Sequence, residues 1–325
     1  MTARGWVGAA LAIGVALTLA GCAGRGPLLD PASAAKHAPR VELDSTPFFP
    51  QERYQCGPAA LATVLAASGV TTSAEALASA VYLPGRQGSL QPELVAATRR
   101  NDRVPYLLPP VTDALLATLD AGVPVLVLQK LGAGPFPGWH YAVVIGYDIE
   151  RDRIVLRSGT ERRKEMSARQ FLATWDRAER WALVAVLPGT LPPAPDFARY
   201  MEAAAGLEAV GRGESAAHAY EAAARQWPAE ALPQLALANL GYARGDFVAA
   251  ERGFHAAARL DPADAAARNN RAEVLRQLGC FNLARREIEV ARVLAAGGPL
   301  SAAVEATARA VATQQGGDAT GCPPD

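Results

Sequence analysis

Tyr54-Gln55-Cys56-Gly57-Pro58-Ala59-Ala60-Leu61 opens the first strong helical pattern of the chain. Pro58 suits a first helical turn, Ala59-Ala60-Leu61-Ala62 are strong helix formers, and Gly69 closes the run. The pattern predicts a helix that Cys56 opens. A thiol there faces unpaired backbone N–H groups and the positive end of the helix dipole, which favours its nucleophilic thiolate. The competing reading is a small buried hydrophobe, the common fate of a free cysteine.

A histidine further along weighs between the two. His140 stands near the start of Gly138-Trp139-His140-Tyr141-Ala142-Val143-Val144-Ile145-Gly146-Tyr147, an apolar strand pattern. A cysteine on a helix N-terminus with a histidine on a later strand suits thiol-nucleophile catalysis. The string Gln51-Glu52-Arg53-Tyr54-Gln55-Cys56-Gly57-Pro58-Ala59-Ala60-Leu61 resembles the C39 and C39-like peptidase families. Two further stretches carry the same resemblance: Gly85-Arg86-Gln87-Gly88-Ser89-Leu90 before a helix, and Ala121-Gly122-Val123-Pro124-Val125-Leu126-Val127 as a central strand. It spans residues 42–190 and implies an α+β, papain-like cysteine peptidase domain. It further implies Cys56 as nucleophile, His140 as base and an upstream glutamine as oxyanion donor. Gln51 is preferred for that role over Gln55, whose side chain is adjacent to the nucleophile.

Family members usually carry an Asp-Pro pair to orient the histidine; this chain has Leu156-Arg157-Ser158-Gly159-Thr160-Glu161 instead. Asp148 lies on the same strand as His140, and at about 3.3 Å per residue it is out of reach of the imidazole. A hairpin turning near Glu150-Arg151-Asp152 brings residues around 158–161 opposite His140. Ser158 is the expected orienter, through its hydroxyl or a nearby carbonyl accepting Nδ1–H, and Glu161 is the nearest carboxylate available as a substitute. A neutral orienter stabilises an imidazolium less than a carboxylate does, which leaves full peptidase activity open.

Local patterns fill in the rest of this region. Thr72 or Ser73 is placed to cap a helix through Ala80, Ser89 one starting near Gln91-Pro92, and a third runs Asp113–Leu119. The stretch 57–120 reads as mainly helical. Val123–Gln129 is a continuous apolar run, as for a strand buried on both faces. Strands at 140–147 and 153–158, a helix at 167–175 and a last strand at 181–187 complete helices followed by an antiparallel sheet.

The N-terminus is a targeting segment. Arg4 precedes the apolar run Trp6–Ala20, too short for an ordinary membrane span, and Leu19-Ala20-Gly21-Cys22 resembles a bacterial lipobox. Cys22 is the expected lipidation site; a plain signal peptide with an incidental cysteine is the alternative. No aspartate follows Cys22, so the expected address is the outer membrane, lipid-anchored and facing the periplasm. Residues 1–22 are thus the signal and lipobox, and 23–41, rich in Ala, Pro and Gly, a flexible tether. Cys280 and Cys322 remain as candidates for a disulfide in an oxidising compartment.

Beyond Pro188-Gly189-Thr190-Leu191-Pro192-Pro193-Ala194-Pro195 the character changes, with 191–196 reading as a semi-rigid linker. Residues 197–298 repeat with a period of 34: Gly211, Gly245 and Gly279; Ala216, Ala250 and Ala284; Tyr220, Phe254 and Ile288; Ala223, Ala257 and Ala291. The ladders resemble the tetratricopeptide repeat, a helix–turn–helix unit that stacks into an all-α solenoid. Residues 197–230, 231–264 and 265–298 are the three units, 300–313 a capping helix, and 315–325 a flexible tail. The first helices of the units, with Asn239, Arg268, Asn269 and Asn270, are expected to line a groove for a protein partner. An array that only packs on its own catalytic domain is the alternative.

The 325 residues carry no formal net charge, which gives no sign of nucleic acid as a partner. No metal-ligand constellation or cofactor motif is visible. Two function classes remain: a periplasm-facing thiol peptidase (or amidase) acting on a peptide or protein substrate recruited by the repeats, and a non-catalytic adaptor lipoprotein built on the same folds.

Overall fold

The computed structural model describes residues 31–51, 55–132, 138–314, 316 and 318–323. Cys22 and the lipobox lie outside the described residues. Among those described, no helix is long and apolar enough to cross a membrane.

Val125–Leu131 (β3) is buried along its first five positions and runs through the middle of a seven-stranded sheet. The other strands are Arg40–Glu42 (β1), Val104–Leu107 (β2), Gly138–Asp148 (β4), Arg153–Ser158 (β5), Glu161–Ser167 (β6) and Ala182–Val186 (β7). Their order is β2-β7-β3-β4-β5-β6, with β1 pairing the far end of β4, and every pairing is antiparallel. Alternation along β4 sorts its side chains into two cores. Tyr141, Val143 and Ile145 join Leu61, Leu65 and Leu94 from the helices Cys56–Ala67 (α2) and Gln91–Arg100 (α4). Ala142 and Val144 join Leu115 and Leu116 of Thr112–Asp120 (α5) and Trp175 of Ala168–Asp176 (α6). A short helix Pro31–Ala34 (α1) precedes β1, and Ala74–Val81 (α3) follows α2, capped by the Ser73 hydroxyl.

Three strands differ from the sequence expectation. β2 interrupts the stretch expected to be helical, and β6 and β1 have no counterpart among the expected strands. β2 and β6 end the main strand order, and their sequences explain the difference. Pro105 removes a ladder donor in β2, and Glu161-Arg162-Arg163-Lys164-Glu165 puts charge along β6. Both features guard an edge against further pairing, and both erase the apolar alternation by which a strand is read.

The tether expectation also changes. Arg40, Val41 and Glu42 pair with Asp148, Tyr147 and Gly146, and Gly146 has no room for a Cβ against the Val41 carbonyl. His37 sits between Asp113 at 3.0 Å and Asp120 at 2.7 Å, so the chain is fastened to the domain from at least this point. Burial pushes the His37 pKa down, but the two carboxylates outweigh it and leave it raised.

The second half is a run of antiparallel helices: Phe197–Ala209 (α7) with Gly213–Gln226 (α8), Leu232–Ala243 (α9) with Phe247–Leu260 (α10), Ala265–Gln277 (α11) with Phe281–Ala295 (α12), then Ser301–Ala312 (α13). Gly211, Gly245 and Gly279 each take a positive φ, between 75° and 77°, at the turn inside a pair. Only glycine enters that region freely, which is why it recurs. The ladder residues Ala216, Ala250, Ala284, Tyr220, Phe254 and Ile288 are all buried between the helices.

The linker does not separate two free bodies. Tyr106 Oη donates to the Ala194 carbonyl at 3.1 Å and accepts the Asp196 N–H at 2.9 Å. Tyr200, Leu207 and Tyr220 continue the apolar core that lies under β2 and β7. At the other end, Cys280 and Cys322 are joined as a disulfide, and residues 318–323 fold back instead of trailing free. Ala319 N–H bonds the Gly279 carbonyl at 3.0 Å, and Asp318 accepts the Asn282 N–H at the start of α12.

Candidate active site

Cys56 is the first residue of α2, and Gln55 is the N-cap, with no side-chain capping bond. The sulfur is largely enclosed. Burial pushes its pKa above the ordinary thiol value of 9.0, and the backbone N–H groups of Tyr141, Gly57 and Cys56 pull it down without offsetting burial. Tyr141 is the residue after His140, so β4 delivers the histidine to the neighbourhood of the nucleophile through its own backbone.

His140 pairs across the sheet with Gln129 on β3. Its Nε2 lies 2.9 Å from the Ser158 hydroxyl at the end of β5. The expected orienter is therefore in place, but on the other ring nitrogen from the one expected. In the tautomer with its proton on Nε2, the neutral imidazole donates to Ser158 Oγ and leaves Nδ1 as the basic nitrogen; in the other tautomer the Ser158 hydroxyl donates to Nε2. Burial, with the Lys164 ammonium adding to it, pushes the His140 pKa down to about 4. At neutral pH burial keeps the histidine uncharged and the thiol protonated.

Glu161 does not replace the family's aspartate. It stands opposite Ser158 across the β5–β6 turn, and its carboxylate pairs with Lys164 at 2.9 Å on the surface. Asp148, at the far end of β4, accepts the Arg151 N–H at 2.9 Å. Gln51 lies on the Ser158 side of the site: its N–H bonds the Gly159 carbonyl at 3.2 Å, and its Nε2 is 3.7 Å from where a Gly159 Cβ would stand.

Three contributors escaped the sequence reading. Arg157 is 5% exposed, and its guanidinium donates to the carbonyls of Asp44 at 2.9 Å, Thr46 at 3.1 Å and Arg162. It ties the segment leading to Gln51 onto the strand carrying Ser158. A charged residue in an apolar strand, as in Ile154-Val155-Leu156-Arg157, was the available signal. The second is the Tyr141 N–H, which no side-chain pattern announces. The third is Ser89, expected as a helix cap. The N-cap of α4 is Leu90, and the Ser89 hydroxyl is buried without a partner. Trp139, beside His140, is 56% exposed and lies under the Lys130 ammonium at 5.2 Å. Among the described residues, no cluster of His, Cys, Asp or Glu could hold a metal ion.

In the repeats, Asn239 and Asn270 meet across units at 3.4 Å, and Asn269 bonds Asn270 at 3.2 Å. Arg268 is not a free groove residue; it pairs with Glu287 at 2.9 Å. Beside it, Arg271 is buried between Glu251 and Glu287, a cluster the sequence pattern did not reveal.

Residues 43–183 match the Peptidase_C39 like family. Among solved structures, a C39-like peptidase from Bacillus anthracis is similar over 45% of this chain and 97% of its own, at 17% identity and a TM-score of 0.39. The type III secretion translocator chaperone SycD of Yersinia enterocolitica is similar over 36% of this chain and 83% of its own, at 22% identity and a TM-score of 0.34. The TPR2B domain of yeast Sti1, in its pHsp70 complex, is similar over 36% and 98%, at 17% identity and a TM-score of 0.34. No curated protein matches the chain. The chain thus joins a C39-like domain at residues 43–183 to a tetratricopeptide-like helical array.

Proposed function

We propose that this chain is a lipid-anchored thiol hydrolase of the bacterial envelope that cleaves a peptide or amide bond with Cys56 and His140. The observation that carries it is the 2.9 Å contact of His140 Nε2 with Ser158, while the next residue's N–H faces the Cys56 sulfur. The reading takes the tautomer with its proton on Nε2, so that Nδ1 is the proposed acceptor of the thiol proton. Sγ then attacks the substrate carbonyl carbon, and the carbonyl electron pair moves to its oxygen. The backbone N–H of Cys56 and the Gln51 amide are the proposed donors to that oxyanion. The imidazolium, its Nε2–H bonded to Ser158, gives the Nδ1 proton to the leaving amine as the C–N bond breaks. Water then hydrolyses the thioester, with His140 acting as base.

The repeats are proposed to bind a protein substrate or partner, as such arrays do. Their first unit and part of α9, through Leu240, share the core of the C39-like domain, so α10 to α13 remain for that role. The lipobox at Leu19–Cys22 supports an anchor on the outer membrane facing the periplasm. The second reading, a non-catalytic adaptor, draws on the same site: a thiol raised and a histidine lowered by burial do not form a standing ion pair.

One experiment separates them. Envelope proteins are profiled for new N-termini in cells expressing the wild type, Cys56→Ala or Cys22→Ala. The hydrolase reading expects termini that vanish with Cys56→Ala, and it expects Cys22→Ala to leave the membrane fraction. Identical termini in wild type and Cys56→Ala would establish the adaptor instead.

A further inference from the structure

A cation in the first turn of a helix opposes the helix dipole, so an arginine there asks for a reason. Arg199 is such a residue: Asp196 caps α7, and its carboxylate accepts the Arg199 N–H at 3.0 Å. Among the described residues the Arg199 guanidinium has no bonded partner. It lines a cleft of about 260 Å³ together with Arg177, Arg180, Trp139 and Trp181. The two other arginines are held in place, Arg177 by the Lys130 carbonyl at 2.7 Å and Arg180 by Asp176 at 2.7 Å. Glu179 and Arg180 both take a left-handed φ, 55° and 53°, in the turn between α6 and β7. Backbone strain of this kind at non-glycine residues gathers at functional sites. Among the described residues Glu179 is the one carboxylate lining the cleft, and nearby Asp176 is already answered by Arg180, so positive charge prevails there.

The cleft lies beside the reactive pair. Trp139 precedes His140 on β4. The Trp181 ring meets the Tyr141 ring edge-on at 5.8 Å, and Tyr141 carries the N–H that faces the Cys56 sulfur. On the helical side Gly57 abuts Ser89, and Gln91, two residues further along, lines the cleft. Resting on the thiol-hydrolase reading, we infer that this cleft is a substrate subsite for an acidic side chain, Asp or Glu, near the scissile bond. Arg199 sets that preference. Trp139, Trp181 and Leu108 give the aliphatic stem an apolar wall, and the guanidinium groups offer planar donors to its carboxylate. Arg199 belongs to the repeat half, and Tyr106 on β2 fixes the start of α7 by accepting the Asp196 N–H at 2.9 Å. The first repeat unit thereby completes the substrate site of the C39-like domain. Arg199 binds substrate and takes no part in making or breaking a bond.

The test uses the full chain as wild type, Arg199→Gln and Arg199→Glu. Each is treated with iodoacetyl dipeptide amides carrying Glu, Gln or Lys at the first or the second position, and the adduct on Cys56 is read by peptide mass. Every rate is divided by that of uncharged iodoacetamide on the same variant, so a change in the thiol itself cancels. At one of the two positions the wild type is expected to react about fivefold faster with Glu than with Gln, the size of a partly exposed ion pair. Arg199→Gln should bring that ratio close to one, and Arg199→Glu should turn the preference toward Lys. Glutamate suits a first helical turn, so the second variant decides the matter if the first does not fold. Equal wild-type rates for Glu and Gln at both positions overturn the inference. So does a Glu preference that survives Arg199→Glu, or a Cys56 that iodoacetamide labels and no dipeptide reagent does. Labelling needs the thiol and not turnover. A Glu preference without Cys56-dependent cleavage would therefore defeat hydrolysis alone and leave the acidic-side-chain site standing.

Discussion

Two buried polar centres, one in each half of the chain, meet desolvation in opposite ways. In the repeats, Arg271 is 5% exposed and is clamped by Glu251 at 2.9 Å and by Glu287, which Arg268 holds from the other side. Charge there is answered by charge. In the C39-like domain, His140 and Cys56 are also enclosed, but among the described residues no carboxylate pairs with them, and burial drives both toward their neutral forms. The first centre is fixed by its partners. The second is poised to change protonation, because its neutrality comes from the environment and not from a paired ion. The same cost of burial yields a strut in one region and a reactive pair in the other.

The strut should break hardest. Arg271→Met removes the shared cation and leaves two buried carboxylates facing each other. Loss of one partner from a buried cluster costs about 3–5 kcal/mol, and urea unfolding of the full chain should show a loss of that size. Adding Glu251→Gln and Glu287→Gln to Arg271→Met should return much of it, since the uncompensated charge is then gone. A loss under about 1 kcal/mol for Arg271→Met alone would mean that the cluster is not a compensated charge centre, and the contrast would collapse.

The reactive pair should instead reveal itself through pH. The His140 pKa is held at about 4 in the folded chain against 6.5 ordinarily. Between those values the unfolded chain binds the proton and the folded chain does not, so stability rises with pH across that window. Above pH 6.5 both states are neutral, and the histidine contributes nothing to the slope. On acidification to pH 4 the wild type should lose about 3 kcal/mol relative to His140→Gln. His255 also has a pKa lowered by burial, which is why the difference between the two proteins is measured and not either curve alone. Parallel curves would show that His140 is not desolvated as the geometry requires.

Much of this contrast was open to reading from the residues, and the unread part has a physical pattern. The repeats were legible because a stacked helix pair imposes one spacing on every unit: Gly211, Gly245 and Gly279 mark the turns, and Ala216, Ala250 and Ala284 the close approaches. The C39-like domain was legible where backbone and side chain agree, as at Cys56 on α2 and His140 on β4. It failed where packing decided. β6 is written in charged residues because it is an edge, and β2 contains Pro105 for the same reason. Ser89 looks like a helix cap in sequence, yet Leu90 takes that position and Ser89 turns to Gly57. The clustering of Arg271, Glu251 and Glu287 depends on three helices meeting, which no local pattern encodes. Ser158 was found by counting across a hairpin, but the count could not say which imidazole nitrogen it meets.

That nitrogen sharpens the comparison most, although its effect is the smallest. Ser158 is a neutral partner, 7% exposed, and it bonds His140 Nε2 without supplying charge. Ser158→Ala should cost about 1 kcal/mol and slow turnover, while Cys56 still reacts with iodoacetamide, because the thiol and Nδ1 remain. Ser158→Asp asks the deeper question. A carboxylate at hydrogen-bond distance stabilises an imidazolium, and such neighbours move a pKa by about 1–3 units. His140 should then climb from about 4 toward its ordinary value, and Cys56 alkylation should grow faster near neutral pH. The reactive pair would have been given the kind of compensation that Arg271 enjoys, and the domain would hold a standing thiolate–imidazolium pair. If the alkylation profile of Ser158→Asp instead overlays the wild type, the orienter's charge does not set the ionisation. Burial alone then keeps this centre neutral, and the two halves differ in how tightly they exclude water and not in the charges they supply.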